Sequence, residues 1–416
     1  MSDNFFCPLP WNHLFFKPNG KVQACCETYD TQFDPSETIE ATANDPILKK
    51  LRLDLLNPKV KPEICKRCIE RETYQDFSVR LSSMNIHKDW TVQKARALTE
   101  TDGGLKKFRL ENVDIRWSNL CNYKCRFCSL ASSNTWLQDQ HNLKHIPGYN
   151  KNFDKFNPKT GIAEYDMDWE DLKKHLPHLK YVKLAGGEPT IMPGTYQLLE
   201  ELIKIGNTSC QVSLITNGTT VKFGNKDLLK LFTHFKGLTK IQISLDGMGK
   251  AHEWLRSGKE DWDLIKNNLV LFKEYADANN WHINFHTGIS WMNLYNLAEF
   301  ILEYPDWNHI FNIVTHPQEM SIGKFYKEEL MKAETHYINL IKEIEIKENI
   351  STHVQRNIIE RLTVVQKAIT KAIGKTKQDI DMNMFKEVHG ILDKSRSQNF
   401  AKAFPEWSKY GFRTHE

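Results

Sequence analysis

Cys121-Asn-Tyr-Lys-Cys125-Arg-Phe-Cys128 is the segment of this sequence whose residue types and spacing carry the most chemistry. A C-x3-C-x2-C loop brings three thiolates together and supplies no fourth. Structural zinc takes four ligands, and here it would have to borrow a histidine such as His141 or His145. A [4Fe–4S] cluster has four irons, so three cysteines leave one iron open to a small molecule that brings its own donors.

The remaining cysteines sharpen the question. Nine occur, at 7, 25, 26, 65, 68, 121, 125, 128 and 210, and eight of them fall in the first third of the chain. The N-terminus, MSDNFFCPLPW, lacks the basic and apolar regions of a secretion signal. In a reducing cytosol such clustering points to metal ligation more than to disulfides. Cys210 stands alone at the start of an expected strand and reads as a small buried apolar residue.

The elements that must position these groups follow from pattern. Strands are expected at Asn112–Ser118, Tyr181–Ala185, Gln211–Thr216, Lys240–Leu245, His282–Ile289 and Asn308–Val314. Helical sequence follows each, at about Ser132–Gln140, Gly194–Ile205, Lys226–Phe235, Asp261–Asn279, Leu294–Glu303 and Tyr326–Ile346. Six β–α repeats imply parallel strands with right-handed crossovers, in an open sheet or a partial barrel. The cysteine loop then sits at the C-terminal end of the first strand, where such folds place ligand sites. The first hundred residues are punctuated by prolines, with helices at about Pro46–Leu56 and from near Cys65. An insert at about 143–167 is rich in Asn, Lys, Gly, Pro and aromatics. Its Tyr149, Phe153 and Phe156, with Tyr165 and Trp169, form either a lid or a packing surface. Near the C-terminus, Ile358, Leu362, Val365, Ile369 and Ala372 recur at helical steps, the face of a packed amphipathic helix.

The cysteine loop, with aromatic Phe127 before its third cysteine, resembles that of radical S-adenosylmethionine (radical SAM) enzymes. Three later segments resemble the same family in the same order. Gly186-Gly187-Glu188-Pro189 after the second strand is similar to the motif that binds the amino end of the cofactor. Leu214-Ile-Thr-Asn217-Gly and Ile241-Gln-Ile-Ser244-Leu-Asp246-Gly look like the segments lining its ribose and carboxylate, with Asn217 and Ser244 as contacts. In His252-Glu-Trp-Leu-Arg256, the resemblance gives Arg256 the cofactor carboxylate and leaves His252 open. It implies that the open iron is chelated by S-adenosylmethionine. Reductive cleavage then yields a 5′-deoxyadenosyl radical that abstracts a substrate hydrogen. The resemblance runs from about Val113 to Val314.

Cys7-x12-Gly20-x4-Cys25 followed by Cys65-x2-Cys68 resembles a twitch domain, the first half of the SPASM module, which carries an auxiliary [4Fe–4S] cluster on four cysteines. Here Pro18-Asn19-Gly20 is a turn between two short strands and the Cys65 pair opens a helix, whose amides favour anionic sulfur. In most relatives the module would follow the barrel, whereas here it precedes it. Cys26 makes a fifth candidate for four places, and structural zinc is the competing occupant. With all four irons ligated, the auxiliary cluster would relay electrons.

The expectation is therefore an α/β protein: a partial (β/α)6 TIM-like barrel at 106–320, an N-terminal cysteine-rich twitch-type domain at 1–105 and a C-terminal helical extension at 321–416. The expected activity is that of a radical SAM enzyme on a peptide or protein side chain. The alternatives are a small sugar or nucleotide-like metabolite, or a non-catalytic electron-transfer or scaffold partner. An electron donor such as flavodoxin or ferredoxin is implied. For catalytic side chains, strand ends offer only Asp246, His286 and His316. A net charge of +4 from 56 basic and 52 acidic residues gives no sign of a nucleic-acid or membrane surface. With 40% hydrophobic and 26% charged residues, a soluble cytoplasmic protein is expected.

Overall fold

Asn112-Val-Asp-Ile115 alternates polar and apolar side chains, and alternation at period two gives a strand with two unlike faces. The computed structural model describes residues 5–28, 31–72, 78–149, 156–257, 259, 261–348, 351–375 and 382–410, in two units. The first comprises 1–120, 154–215 and 222–240, and the second 121–153, 216–221 and 241–416.

In the first unit, β1 (His13–Phe16), β2 (Val22–Gln23), β3 (Asn112–Ile115), β4 (Tyr181–Leu184) and β5 (Gln211–Thr216) lie in the order β2-β1-β3-β4-β5. β1, β3, β4 and β5 are parallel, and β2 is antiparallel to β1. Register sets Asp114 opposite Lys183, and Lys183 opposite Ser213. The alternate positions Val113, Ile115, Val182, Leu184, Val212 and Leu214 are fully buried. Each such side chain stabilises the fold by ~1.5–3 kcal/mol. Trp117, on that same side, closes on Gly194, near the start of helix Pro193–Lys204, which buries Tyr196, Leu198, Leu199 and Leu202.

The N-terminal region is more helical than its prolines suggest. Pro46–Leu56 forms with Asp45 capping the Ile47 amide, as expected, and Lys66–Arg71 follows Cys65. Val79–Ile86 and Val92–Leu98 are added, each held by a side-chain cap, Ser78 to the Leu81 amide and Thr91 to the Lys94 amide. The expected turn at 18–20 joins β1 and β2. The parallel pairing of β1 with β3 is a step that the sequence reading did not contain.

The second unit takes the end of β6 (Thr239–Ser244), with β7 (His282–Ile289) and β8 (Asn308–Ile313), which pair in parallel. Helices α1 (Trp262–Asn279) and α2 (Leu294–Glu303) follow β6 and β7. After β8 come α3 (Lys327–Glu345), α4 (Thr352–Ile373) and α5 (Asn383–Arg396). Ile358, Leu362, Val365, Ile369 and Ala372 are the buried face of α4. Trp291 stacks on Phe325 at 4.1 Å and meets Phe385 of α5 edge-on at 4.8 Å, so the C-terminal helices share the core of this unit.

The α/β class and the strand–helix alternation of the partial barrel hold, with changes at the ends. The first strand stops at Ile115 instead of Ser118. Its following helix is a 3-10 turn, Asn134–Trp136, leading into Leu137–Leu143. The helix expected at 226–235 shortens to Leu228–Phe232, because Lys222–Phe223 and Lys226–Asp227 pair as a hairpin. No helix among the described residues is long and apolar enough to cross a membrane.

Candidate cluster and cofactor site

All nine cysteines are free thiols. Cys121 and Cys125 are buried and Cys128 is half-buried. Their loop is a run of tight turns: the Cys128 amide donates to the Cys125 carbonyl at 3.0 Å, and the Tyr123 amide reaches the Cys121 Sγ at 3.4 Å. Side chains from the following residues fix it. Asn134 accepts from the Cys121 amide at 2.9 Å, Ser133 and Thr135 each donate to the Tyr123 carbonyl at 2.7 Å, and Trp136 Nε1 donates to the Cys125 carbonyl at 3.0 Å. A hydrogen bond with the Cys128 thiol holds Cys125 below the ordinary thiol range against burial, with Arg256 assisting. The same bond, with burial, raises Cys128, which also feels Cys121.

Arg256 lies in the π-helical turn Glu253–Ser257. Its Nε and Nη2 fork onto Asp246 at 2.5 and 3.1 Å, and Nη1 points to the Cys125 Sγ at 4.0 Å. Burial disfavours its charge, but Asp246 and Cys125 outweigh that and hold it above the usual arginine range. Asp246 also accepts the Gly288 amide at 2.5 Å, so its carboxylate anchors Arg256 and the end of β7 together. His252, fully buried, touches Tyr123 Oη through Nε2 at 3.4 Å. Burial, then Arg256, lowers its pKa to about 3, so it stays neutral. Asn217 donates to the Asn122 side chain inside the cysteine loop at 2.8 Å and accepts from the Thr219 amide and hydroxyl at 3.0 and 2.6 Å. Ser244 is buried at the end of β6, and Phe127 is half-buried.

In the first unit, Gly186 and Gly187 turn the chain at the end of β4. Gly186 has φ +134°. A Cβ on Gly187 would lie 2.1 Å from the Leu120 carbonyl oxygen, so only glycine fits this approach. The Glu188 amide donates to that same carbonyl at 2.8 Å, and Leu120 is the residue before Cys121. The buried Glu188 carboxylate accepts from the Thr190 amide and hydroxyl at 3.1 and 2.7 Å, capping the turn that opens with Pro189. The insert braces the same stretch: Asn119 and Ala163 exchange hydrogen bonds, and Asn119 Nδ2 donates to the Gly161 carbonyl at 2.8 Å. Trp169 stacks on Trp117 at 5.1 Å and Tyr165 meets Phe16 at 5.2 Å, which are packing contacts. Tyr149 instead donates to Glu319 within the second unit at 2.5 Å, Phe156 is half-buried, and Phe153 lies outside the described residues.

Residues 115–301 match the profile of the Radical SAM superfamily. The chain carries a radical SAM domain. The sporulation killing factor maturation protein SkfB of Bacillus subtilis is 22% identical over 52% of this chain and 45% of its own length. A probable GTP 3′,8-cyclase of Sulfurisphaera tokodaii is 24% identical over 54% of this chain and 66% of its own. Among solved structures, anSMEcpe with bound AdoMet aligns over 55% of this chain and 57% of that one, at 18% identity and a TM-score of 0.37. The chain thus spans roughly half the length of the curated relatives it matches.

Ahead of the matched radical SAM residues lies the second group of thiols. Burial pushes Cys7 up to about 12 and raises Cys25, Cys65 and Cys68. Thiols also act on one another: Cys68 on Cys7; Cys26, then Cys7 and Cys65, on Cys25; and Cys7 and Cys68 on Cys65. Cys26 also has Lys183 Nζ 3.5 Å from its sulfur, and Lys183 pairs with Asp114 at 3.1 Å. Among the described residues no group of three or more His, Cys, Asp or Glu is set to hold a metal ion. The chemistry of the two thiol sets, buried to half-buried sulfur donors, suits an iron–sulfur cluster.

The remaining radical SAM domain candidates are less engaged. His286 is half-buried and bonded to Asn312 at 2.6 Å, and His316 is exposed beside Thr315. Cys210 is buried and its pKa is raised by burial alone to about 12. Sequence reasoning missed Asn122, Asn134 and Trp136 as supports of the cysteine loop. Their only signal is position: one lies inside the motif and two just after it.

Proposed function

We propose that this chain is a radical SAM enzyme in which Cys121, Cys125 and Cys128 hold a [4Fe–4S] cluster with one open iron. The observation that supports this most is the grouping of three thiols in one loop, two buried and one half-buried, with the Arg256 guanidinium beside Cys125. A cluster held by these residues would supply the electron that cleaves S-adenosylmethionine reductively, giving a 5′-deoxyadenosyl radical that would take a hydrogen from the substrate. The protein's part is positioning. Arg256, held by Asp246, presents a fixed cation for the methionine carboxylate. Gly186 and Gly187 let the turn after β4 pack closely on the stretch that leads into Cys121, and Glu188 brings a carboxylate suited to an ammonium group. Asn217, Ser244 and Phe127 complete the cofactor's surroundings.

Cys7, Cys25, Cys65 and Cys68 would hold an auxiliary [4Fe–4S] cluster within residues 1–105. Four donors would leave no iron open, so such a cluster would relay electrons, and a flavodoxin or ferredoxin would feed the first. Oxygen-sensitive clusters and unpaired thiols suit the cytoplasm. The substrate proposed is a peptide or protein side chain, in line with the name of the Bacillus subtilis relative. A nucleotide-like metabolite is the second reading, favoured by the name of the Sulfurisphaera tokodaii relative.

The test is anaerobic reconstitution, reduction and incubation with S-adenosylmethionine. Formation of 5′-deoxyadenosine is expected, and its complete absence would favour a non-catalytic scaffold. Deuterium transfer between 5′-deoxyadenosine and components of cell extract then separates a peptide from a small-molecule substrate.

A further inference from the structure

The second unit places the end of the chain directly on the cysteine loop. Arg126, between Cys125 and Cys128, is completely buried. Its guanidinium lies 3.5 Å from the Trp254 ring centre, donates to the Trp254 carbonyl at 2.9 Å, and reaches three residues of the C-terminal segment. These are Asp393 at 2.5 Å, His389 at 3.0 Å and Gln398 at 2.9 Å. Asp393 also accepts from Trp254 Nε1 at 2.7 Å and from the Phe400 amide at 2.8 Å. A second arginine repeats the arrangement one helical turn away. Arg396 donates to the Lys124 carbonyl at 2.6 Å and to Asp139 at 2.9 and 3.1 Å, and both side chains are about 1% exposed.

We infer that Asp393 and Arg396 of α5 are positioning residues for the cluster-bearing loop, and that the C-terminal helix is part of the radical site. The inference rests on the reading of Cys121, Cys125 and Cys128 as cluster ligands. Surface-seeking residues such as Arg and Asp are rarely fully buried, and a buried pair is weak evidence for stability alone. Here both pairs converge on the two residues of one loop that flank the Cys125 thiol, Lys124 and Arg126. Two consequences follow. The loop's shape is set by α5, so retention of iron depends on it. The Asp393 charge cancels that of Arg126 close to the sulfurs, and net charge sets cluster potential. Removing the carboxylate leaves an uncompensated cation, which favours the reduced, more negative cluster.

The experiment uses the full chain, reconstituted anaerobically with iron and sulfide. Wild type is compared with Asp393→Asn, Arg396→Lys and a triple Cys121→Ala, Cys125→Ala, Cys128→Ala protein that reports iron held elsewhere. Against a chelator, both single variants are expected to lose the triad's iron about tenfold more readily, as supporting residues around ligands command. Asp393→Asn is also expected to move the midpoint potential of the triad's cluster to a more positive value, and Arg396→Lys, which keeps its charge, to leave it in place. Wild-type retention in both variants with an unchanged potential overturns the inference alone. If Asp393→Asn does not fold, Arg396→Lys decides, and wild-type retention in it overturns the inference. Equal iron in wild type and the triple variant would overturn the ligand reading and this inference together.

Discussion

Replacing Gly187 by alanine tests how the turn after β4 governs the cysteine loop. The added Cβ would stand 2.1 Å from the Leu120 carbonyl oxygen and 2.7 Å from the Asn119 carbonyl carbon, whereas ordinary contact begins at 3.4 Å. Both neighbours are backbone, so no side chain can swing away. One side must give by more than an ångström. The strands resist, because β3 and β4 are locked in register and the Glu188 amide bonds the same carbonyl at 2.8 Å. Overpacking of this kind costs about 1–3 kcal/mol, and an unyielding neighbour puts this case at the upper end. Leu120 is bonded to Cys121, so its displacement is passed to the first ligand of the triad. A misplacement of about 1 Å costs roughly 100-fold in rate. The assay is 5′-deoxyadenosine formation by anaerobically reconstituted protein, with circular dichroism and thermal melting alongside. Gly323→Ala, with nothing within 4 Å of the added atom, is the control and should behave as wild type. If Gly187→Ala melts like wild type and forms 5′-deoxyadenosine within a few-fold of its rate, the reasoning is refuted.

Three further outcomes are expected. Cys65→Ser should remove about half of the iron bound by wild type, whereas Cys26→Ser, whose sulfur faces Lys183, should keep all of it; equal loss in both would reverse the assignment. Arg256→Lys keeps the charge but loses the fork onto Asp246, so kcat/KM for S-adenosylmethionine should drop at least roughly tenfold, the worth of one charge-assisted hydrogen bond. His13 is buried between strands and its pKa is lowered to about 4 by desolvation, which Asp114 only partly opposes. Its folded value lies below the unfolded one, so its contribution is complete above pH ~6.5 and is lost as pH falls toward 4. Chemical denaturation at pH 7 and pH 5 should show a loss of about 2 kcal/mol from this residue, absent in His13→Asn; an unchanged pH dependence in that variant would contradict the account.

The sequence carried what is local and periodic. Val113 and Ile115 alternate with Asn112 and Asp114, and that pattern alone gives a strand with one apolar face. The three-cysteine loop and the glycine pair were legible because each motif is contiguous. What was not legible depends on separation. His13 and Asn112 are 99 positions apart, yet they pair across β1 and β3. Nothing in the proline-broken N-terminus marks His13–Phe16 as a parallel partner of β3. Arg126 and Asp393 are 267 positions apart, and each alone reads as an ordinary surface charge. Short capped helices such as Val92–Leu98 were missed because seven residues hold too few apolar positions to show a period.

Cys25 and Cys26 show why adjacency in sequence does not settle ligand choice. Spacing from Gly20 favoured Cys25, but both thiols follow the same hairpin strand and either was available. The fold distinguishes them by their further neighbours. Beyond Cys26 itself, Cys25 feels Cys7 and Cys65, which come from before β1 and from the start of a short helix. The Cys26 sulfur meets Lys183, a half-buried lysine that keeps its charge: desolvation opposes the charge, but Asp114 opposite it on β3 and then Cys26 outweigh that cost. A thiol beside an ammonium and a set of thiols whose ionised forms would repel one another are different chemical environments. The second is relieved when protons leave and a cation cluster enters, since metal binding is coupled to thiol deprotonation. The register of β3 against β4, by fixing Asp114 opposite Lys183, therefore bears on which of two neighbouring cysteines is left over.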